Sequence, residues 1–199
     1  MAQQTQDFFK RDVSVSMGEA NLYTIAFTLP AIFLLIAIFS IFWGFESLGN
    51  SVLLQLNQAS LFLLAVIAGI FLHEYLHKIG WWLAARIPYR SIRFGFQWRT
   101  FTPYTHCTEP LHADAYRIGT VLPGLSLGIL PAIYALVTGN GIIFIWGIIF
   151  IFAAGGDLLI LWLLRFTPKD TLVEDHPERA GCYILEKQME NRHDKQGER

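Results

Sequence analysis

The sequence predicts a mainly α, integral membrane protein, with about four transmembrane helices and a small cytoplasmic β-hairpin or sheet between helices two and three. Three observations predict it. Hydrophobic residues make up 53% of the 199-residue chain and charged residues only 16%, where a soluble domain has about 25% charged. The charges are also segregated: Glu46 is the only one from Ala20 to Leu72, and Asp157 the only one from Ile118 to Leu164. A soluble chain of this size has too little interior to hide two such runs, whereas a bilayer demands them. Finally, the period changes between Tyr89 and Thr105. Ile92, Phe94, Phe96 and Trp98 alternate there with Arg93, Gly95, Gln97 and Arg99, the period of a strand.

Residues 1–19 read as a cytoplasmic N-terminal segment. It carries Asp7, Lys10, Arg11, Asp12 and Glu19 and no apolar core, so it is not expected to be a cleaved signal peptide. Val13 and Val15 alternate with Ser14 and Ser16 and could supply a partner strand for the middle segment. The membrane domain covers residues 20–170. Its spans run from Leu22 to Trp43, Ser60 to Leu83, Ile118 to Val137 and Ile142 to Phe166, each long enough to cross a hydrocarbon core of ~30 Å. Pro30, Pro123 and Pro131 fall inside spans and predict kinks, because neighbouring helices can satisfy the freed carbonyls. Residues 171–199 read as a polar cytoplasmic C-terminal tail, disordered or loosely helical from Lys187 onward.

Lys and Arg orient the chain. They occur at Lys10 and Arg11, at Arg86, Arg90, Arg93, Arg99 and Arg117, and from Arg165 through the tail, but not in the connections around residues 46–58 and 139–141. The alternation places both termini and the middle segment in the cytoplasm. Cys107 and Cys182 then lie on the reducing side, and no disulfide is expected. With a net charge of −1 and no basic patch, no nucleic-acid partner is implied; the lipid bilayer is the expected surroundings.

The chemistry sits in span two, which contains His73-Glu74-Tyr75-Leu76-His77. On a helix, His73 and His77 are one turn apart on one face and can share a metal ion. Glu74 projects beside them, placed to reach an activated water without ligating the metal. Ionisable groups inside an apolar span are costly and mark function. A catalytic zinc site needs a third ligand, and Asp157 is the best candidate. It follows Gly155 and Gly156 and lies eight residues before Arg165, as His77 lies nine before Arg86. At 1.5 Å per residue both sit about 12–14 Å inside the same face. His106, Glu109, His112, Asp175 and His176 are weaker candidates, on segments that could fold back over the site. Trp81 and Trp82 read as an interfacial belt, Lys78 as a snorkelling anchor, and Pro123-Gly124 as a packing kink.

Taken in order, HEYLH on an apolar helix, the aromatic strand around Phe94 to Phe96, and the Gly156-Asp157 pair resemble membrane-embedded zincins of the site-2 protease type. With Asp175-His176-Pro177 ahead of a Gly-Cys-Tyr-Ile run, the pattern more closely resembles a bacterial family of zincin peptidases of unknown function. The resemblance implies a bacterial inner-membrane protein in which His73, His77 and Asp157 bind Zn2+ and Glu74 is the general base. It does not extend to the Asn that precedes the ligand Asp in site-2 proteases; here the setting is Gly-Gly-Asp-Leu-Leu.

The expected function is therefore that of a zinc metalloendopeptidase, acting on a membrane protein or peptide. It would hydrolyse a peptide bond with zinc-activated water. Its substrate would be extended, and the strand from Ile92 to Trp98 could accept it by strand addition. Two other classes fit the same residues: a membrane zinc-binding scaffold without turnover, and a small ion or metal transporter.

Overall fold

The computed structural model describes residues 8–98, 102–177 and 179–187. Its first helix, α1 (Met17–Trp43), starts at a capping box: the Ser16 side chain accepts from the Glu19 N–H, and the Glu19 carboxylate accepts from the Ser16 N–H at 2.8 Å. Pro30 sits inside it. Gly44, at φ 81°, ends it and turns the chain into α2 (Phe45–Asn57). The connection expected there, without Lys or Arg, is thus helical. Its Gln55 is buried and its side-chain amide donates to the Ile142 carbonyl at 3.4 Å.

Helix α3 (Ala59–Ala85) carries the HEYLH sequence and stops at Arg86, whose left-handed backbone (φ 55°) lets its N–H bond the Trp82 carbonyl. Beyond it, β2 (Ile92–Gln97) and β3 (Thr102–Cys107) form an antiparallel hairpin with Ile92 opposite Cys107. The strand expected between helices two and three is present. Arg99 lies outside the described residues.

The partner expected for this hairpin is different. β1 (Phe8–Asp12) pairs with β6 (Cys182–Lys187), and Val15 bridges Ala180. With β5 (Leu172–Asp175) and the short β4 (Leu111–His112) they form a second sheet in the order β1-β6-β5-β4. Residues 13–15 and 171–187 are drawn together because Val173, Cys182 and Ile184 bury their side chains with Leu111 and Tyr116 in one apolar cluster, against which Val13 packs. The polar composition of the tail conceals this alternation. The residues expected to be disordered after Lys187 lie outside the described ones. Since β1 pairs with β6, the segments before α1 and after the last helix meet at one end of the helices.

Helix α4 (Ala113–Pro123) passes through a π-helical turn at Gly124–Ile129 into α5 (Leu130–Thr138), so that residues Ala113–Thr138 form one long apolar helix. Gly139, at φ 73°, and Asn140, whose side chain accepts from the N–H groups of Ile142 and Ile143, make the next turn. Helices α6 (Gly141–Ala153) and α7 (Gly155–Leu163) follow as a pair bent by 44° at Ala154.

Three helices are long and apolar enough to cross a membrane, α1, α3 and α4–α5, and α6–α7 makes a fourth if the bent pair is one span. Their outer faces are apolar and open: Phe33, Leu34, Leu63 and Leu64 are each at least 60% exposed. Faces of that kind are stable against lipid rather than water.

Candidate metal centre

His73, His77 and Trp81 recur every four residues and so form one stripe of α3. All three are buried. Gly80 makes the approach to α4 possible: a Cβ there would lie 2.6 Å from Gly119 Cα. That proximity lets His77 Nδ1 donate to the Gly119 carbonyl at 3.0 Å. A carbonyl only accepts, so Nδ1 carries the proton and Nε2 keeps its lone pair. Trp81 completes the wall. Its indole N–H donates to the Tyr116 carbonyl at 2.9 Å. Its ring is stacked between His77, at 5.5 Å, and Tyr116, at 5.3 Å.

Asp157 comes from the first turn of α7, just past the bend. Gly155 faces α1, where a Cβ would meet Thr24 at 2.3 Å, while Gly156 opens on space. Only the first of these glycines is needed for close helix approach. Asp157 reaches both histidines: Oδ2 lies 3.1 Å from His73 Nε2, and Oδ1 lies 3.2 Å from His77 Nε2.

These spacings test whether a metal fits. Ligands ~2.0–2.1 Å from a tetrahedral zinc are about 3.3 Å apart. The two nitrogen-to-oxygen spacings agree with that. Asp157 Oδ2 is buried without a hydrogen-bond partner among the described residues, although a ring nitrogen is 3.1 Å away. His73, Glu74 and His77 also offer ligand-type atoms all within 4.8 Å of one another. The residues therefore fit a zinc ion. His73 Nδ1 is buried and unpartnered among the described residues.

The cluster lines a cavity of about 710 Å³ that is bounded on its other sides by β3 and by the turn between β5 and β6. Thr105 docks β3 on α3, its hydroxyl donating to the Glu74 carbonyl at 2.9 Å. Among the weaker sequence candidates, His106, Asp175 and His176 line this cavity. Asp175 Oδ1 accepts from the Tyr116 hydroxyl, and Oδ2 accepts from the Cys107 N–H at 2.8 Å. His176 Nδ1 accepts from the Arg179 N–H at 2.9 Å, which closes the turn after Asp175. His112 and Glu109 are elsewhere: His112 Nδ1 donates to the Asp170 carbonyl at 3.0 Å, and Glu109 accepts from the Ser91 hydroxyl.

Two expectations change. Trp81, expected in an interfacial belt, is 4% exposed and packs on His77, while Trp82 is 42% exposed. Lys78, expected to snorkel, is buried with its ammonium 3.9 Å over Tyr89 and 4.9 Å over Phe94, holding the hairpin against α3. The four-residue spacing after His77 was a usable signal for Trp81; Tyr116 and Gly119 carried none. Burial pushes the thiol of Cys107 up to about 11 and that of Cys182 up to about 12. Both are protonated at neutral pH, and neither lines the cavity.

Residues 66–172 match the model of a family described as "Putative zincin peptidase". No curated protein and no solved structure matches the chain.

Proposed function

The chain belongs to this zincin peptidase family, and from that premise we propose that it is a membrane-embedded zinc metalloendopeptidase, similar to site-2 proteases, in a bacterial inner membrane with both termini cytoplasmic. Zinc is the metal that the family implies. The observation that carries the reading is the convergence of His73 Nε2 and His77 Nε2 on the Asp157 carboxylate, each 3.1–3.2 Å from one of its oxygens, beside Glu74.

His73, His77 and Asp157 would hold the ion. When bound, zinc would supply a Lewis acid that lowers the pKa of a water toward 7 and polarises the scissile carbonyl. Glu74, which lines the cavity, takes the proton of the attacking water and returns it to the leaving amine. Gly119 fixes the His77 tautomer, and Trp81 fixes its ring plane.

The substrate is an extended stretch of a membrane protein or peptide, since a helical backbone keeps its carbonyls bonded. The strand beside Glu74 is β3, not the expected Ile92–Trp98 strand. Thr108 N–H donates to the Ser91 carbonyl. With the register of the hairpin, that bond turns the peptide groups of Cys107, Thr105 and Pro103 to the outer edge of β3. Pro103 has no N–H, and Cys107 gives its own to Asp175. Thr105 is thus the edge position with both a donor and an acceptor to offer a substrate strand.

The test is zinc per chain in detergent-purified protein. About one zinc in the wild type, lost in His77→Ala and in Asp157→Ala, supports the reading. No zinc in the wild type would sink it and favour a transporter or scaffold. Zinc lost with His77 but kept with Asp157→Ala would move the third ligand to the His106–His112 segment or to Asp175 and His176.

A further inference from the structure

The mechanism above uses Glu74 and the three ligands and leaves one pair on the cavity wall unused. His106 Nδ1 lies 3.3 Å from Asp175 Oδ2. Asp175 is held firmly: its side chain is 11% exposed, and its two oxygens accept from the Tyr116 hydroxyl and the Cys107 N–H. The His106 side chain is 33% exposed and lines the cavity that contains Glu74, His73 and His77. Its neighbour in β3, Thr105, is bonded to the Glu74 carbonyl, so the strand that bears His106 is anchored to the helix that bears the general base.

Attack of water on a peptide carbonyl turns the carbonyl oxygen into an oxyanion, and a donor preorganised toward it stabilises the transition state. Two other hydroxyls on this wall are committed. The Thr105 hydroxyl bonds the Glu74 carbonyl and the Thr120 hydroxyl bonds the Tyr116 carbonyl. Arg179 gives one of its donors, Nε–H, to the Ser14 hydroxyl. A carboxylate only accepts, so the Nδ1 of His106 carries a proton toward Asp175, and the pairing favours the imidazolium, whose Nε2–H is directed away from that carboxylate.

We propose that His106 is a further catalytic residue, its imidazolium Nε2–H donating to the oxyanion formed from the scissile carbonyl, with Asp175 as its positioning residue. This rests on the peptidase reading. It assigns a donor where the Asn of site-2 proteases is missing from the sequence around Asp157.

The experiment uses two probes on the zinc-loaded full chain in detergent. N-phosphoryl-leucinamide carries a tetrahedral anionic phosphoryl group in the place of a carbonyl under attack. Acetohydroxamate binds a zinc ion and makes no such demand. Expected are a loss of about 10- to 100-fold in phosphoryl-leucinamide affinity in His106→Ala, partial recovery in His106→Gln, whose amide N–H can replace Nε2–H, and unchanged acetohydroxamate affinity and zinc content in both. Asp175→Asn should lose part of the same affinity and lower the titration midpoint of the His106 ring in an NMR pH series. Equal phosphoryl-leucinamide affinity in wild type and His106→Ala, with acetohydroxamate still bound, overturns the assignment alone. So does a wild type that binds acetohydroxamate but not the phosphoryl probe. A wild type that holds no zinc and binds neither probe overturns the peptidase reading, and this assignment with it.

Discussion

Gly119 and Trp81 are in such close contact that a Cβ on the glycine would lie 2.1 Å from the indole Cδ1. The same glycine accepts the His77 Nδ1–H through its carbonyl, and the same indole stacks on the His77 ring. One contact between α3 and α4 thereby sets both the tautomer and the plane of His77. Gly119→Ala should push Trp81 out of this stack, at a cost of about 1–3 kcal/mol, and weaken zinc binding although no ligand is changed. Thermal unfolding and a zinc-chelator competition check both effects. Wild-type zinc affinity in a destabilised variant would separate packing from tuning of the ligand.

Glu74→Gln should keep its zinc, because the two histidines and Asp157 are untouched. Turnover should fall by a factor on the order of 10²–10⁴, the usual worth of a positioned general base. Zinc content together with cleavage of an unfolded protein substrate measures this. A variant that loses its zinc would make Glu74 a ligand instead.

The outer edge of β3 can be tested at one atom. Thr105→Pro removes the N–H that faces outward and leaves the bonds to β2 in place, since position 105 does not pair inward in this register. Thr105→Val removes only the hydroxyl that bonds Glu74. Strand addition predicts that turnover is lost in the first and largely kept in the second, with zinc bound in both. Equal activity of the two would count against an edge at this strand.

His106 should titrate above its ordinary value near 6.5. The side-chain contact with Asp175 raises it most, burial opposes, and the charges of Asp175 and Glu174 raise it against Arg93. The sign for stability follows. A folded-state value above the unfolded one favours the protonated fold, so this contribution is complete below about pH 6.5 and is lost as pH rises through the folded value. Thermal unfolding across that window should show the loss, and Asp175→Asn should remove it. A midpoint at or below 6.5 in the wild type would contradict the pairing.

Much of the site was legible because apolar helices tolerate few charges. Asp157 is the one charge in two helices, and the two histidines of HEYLH share one face of another. Depth counted from the basic ends then brought His77 and Asp157 to one level, and the carboxylate does meet both histidines. The N-terminal strand was not legible in its pairing. Val13 and Val15 alternate correctly for a strand, yet alternation does not choose a partner, and the partner lies at Ala180 and beyond. The helix at Phe45–Asn57 was hidden because absence of Lys and Arg looks the same in a short helix as in a loop.

By itself the sequence determined the apolar helices, the hairpin between the second and third, and the identity of the groups able to hold a metal, because each follows from local period or from the cost of charge in an apolar setting. Only the tertiary structure decided what surrounds those groups. The wall of Trp81, Tyr116 and Gly119, the edge of β3 at Thr105, and the pairing of His106 with Asp175 join residues that are far apart in the chain. Such contacts are set by which glycines let helices approach and which strand buries its apolar face, and neither leaves a period in the sequence.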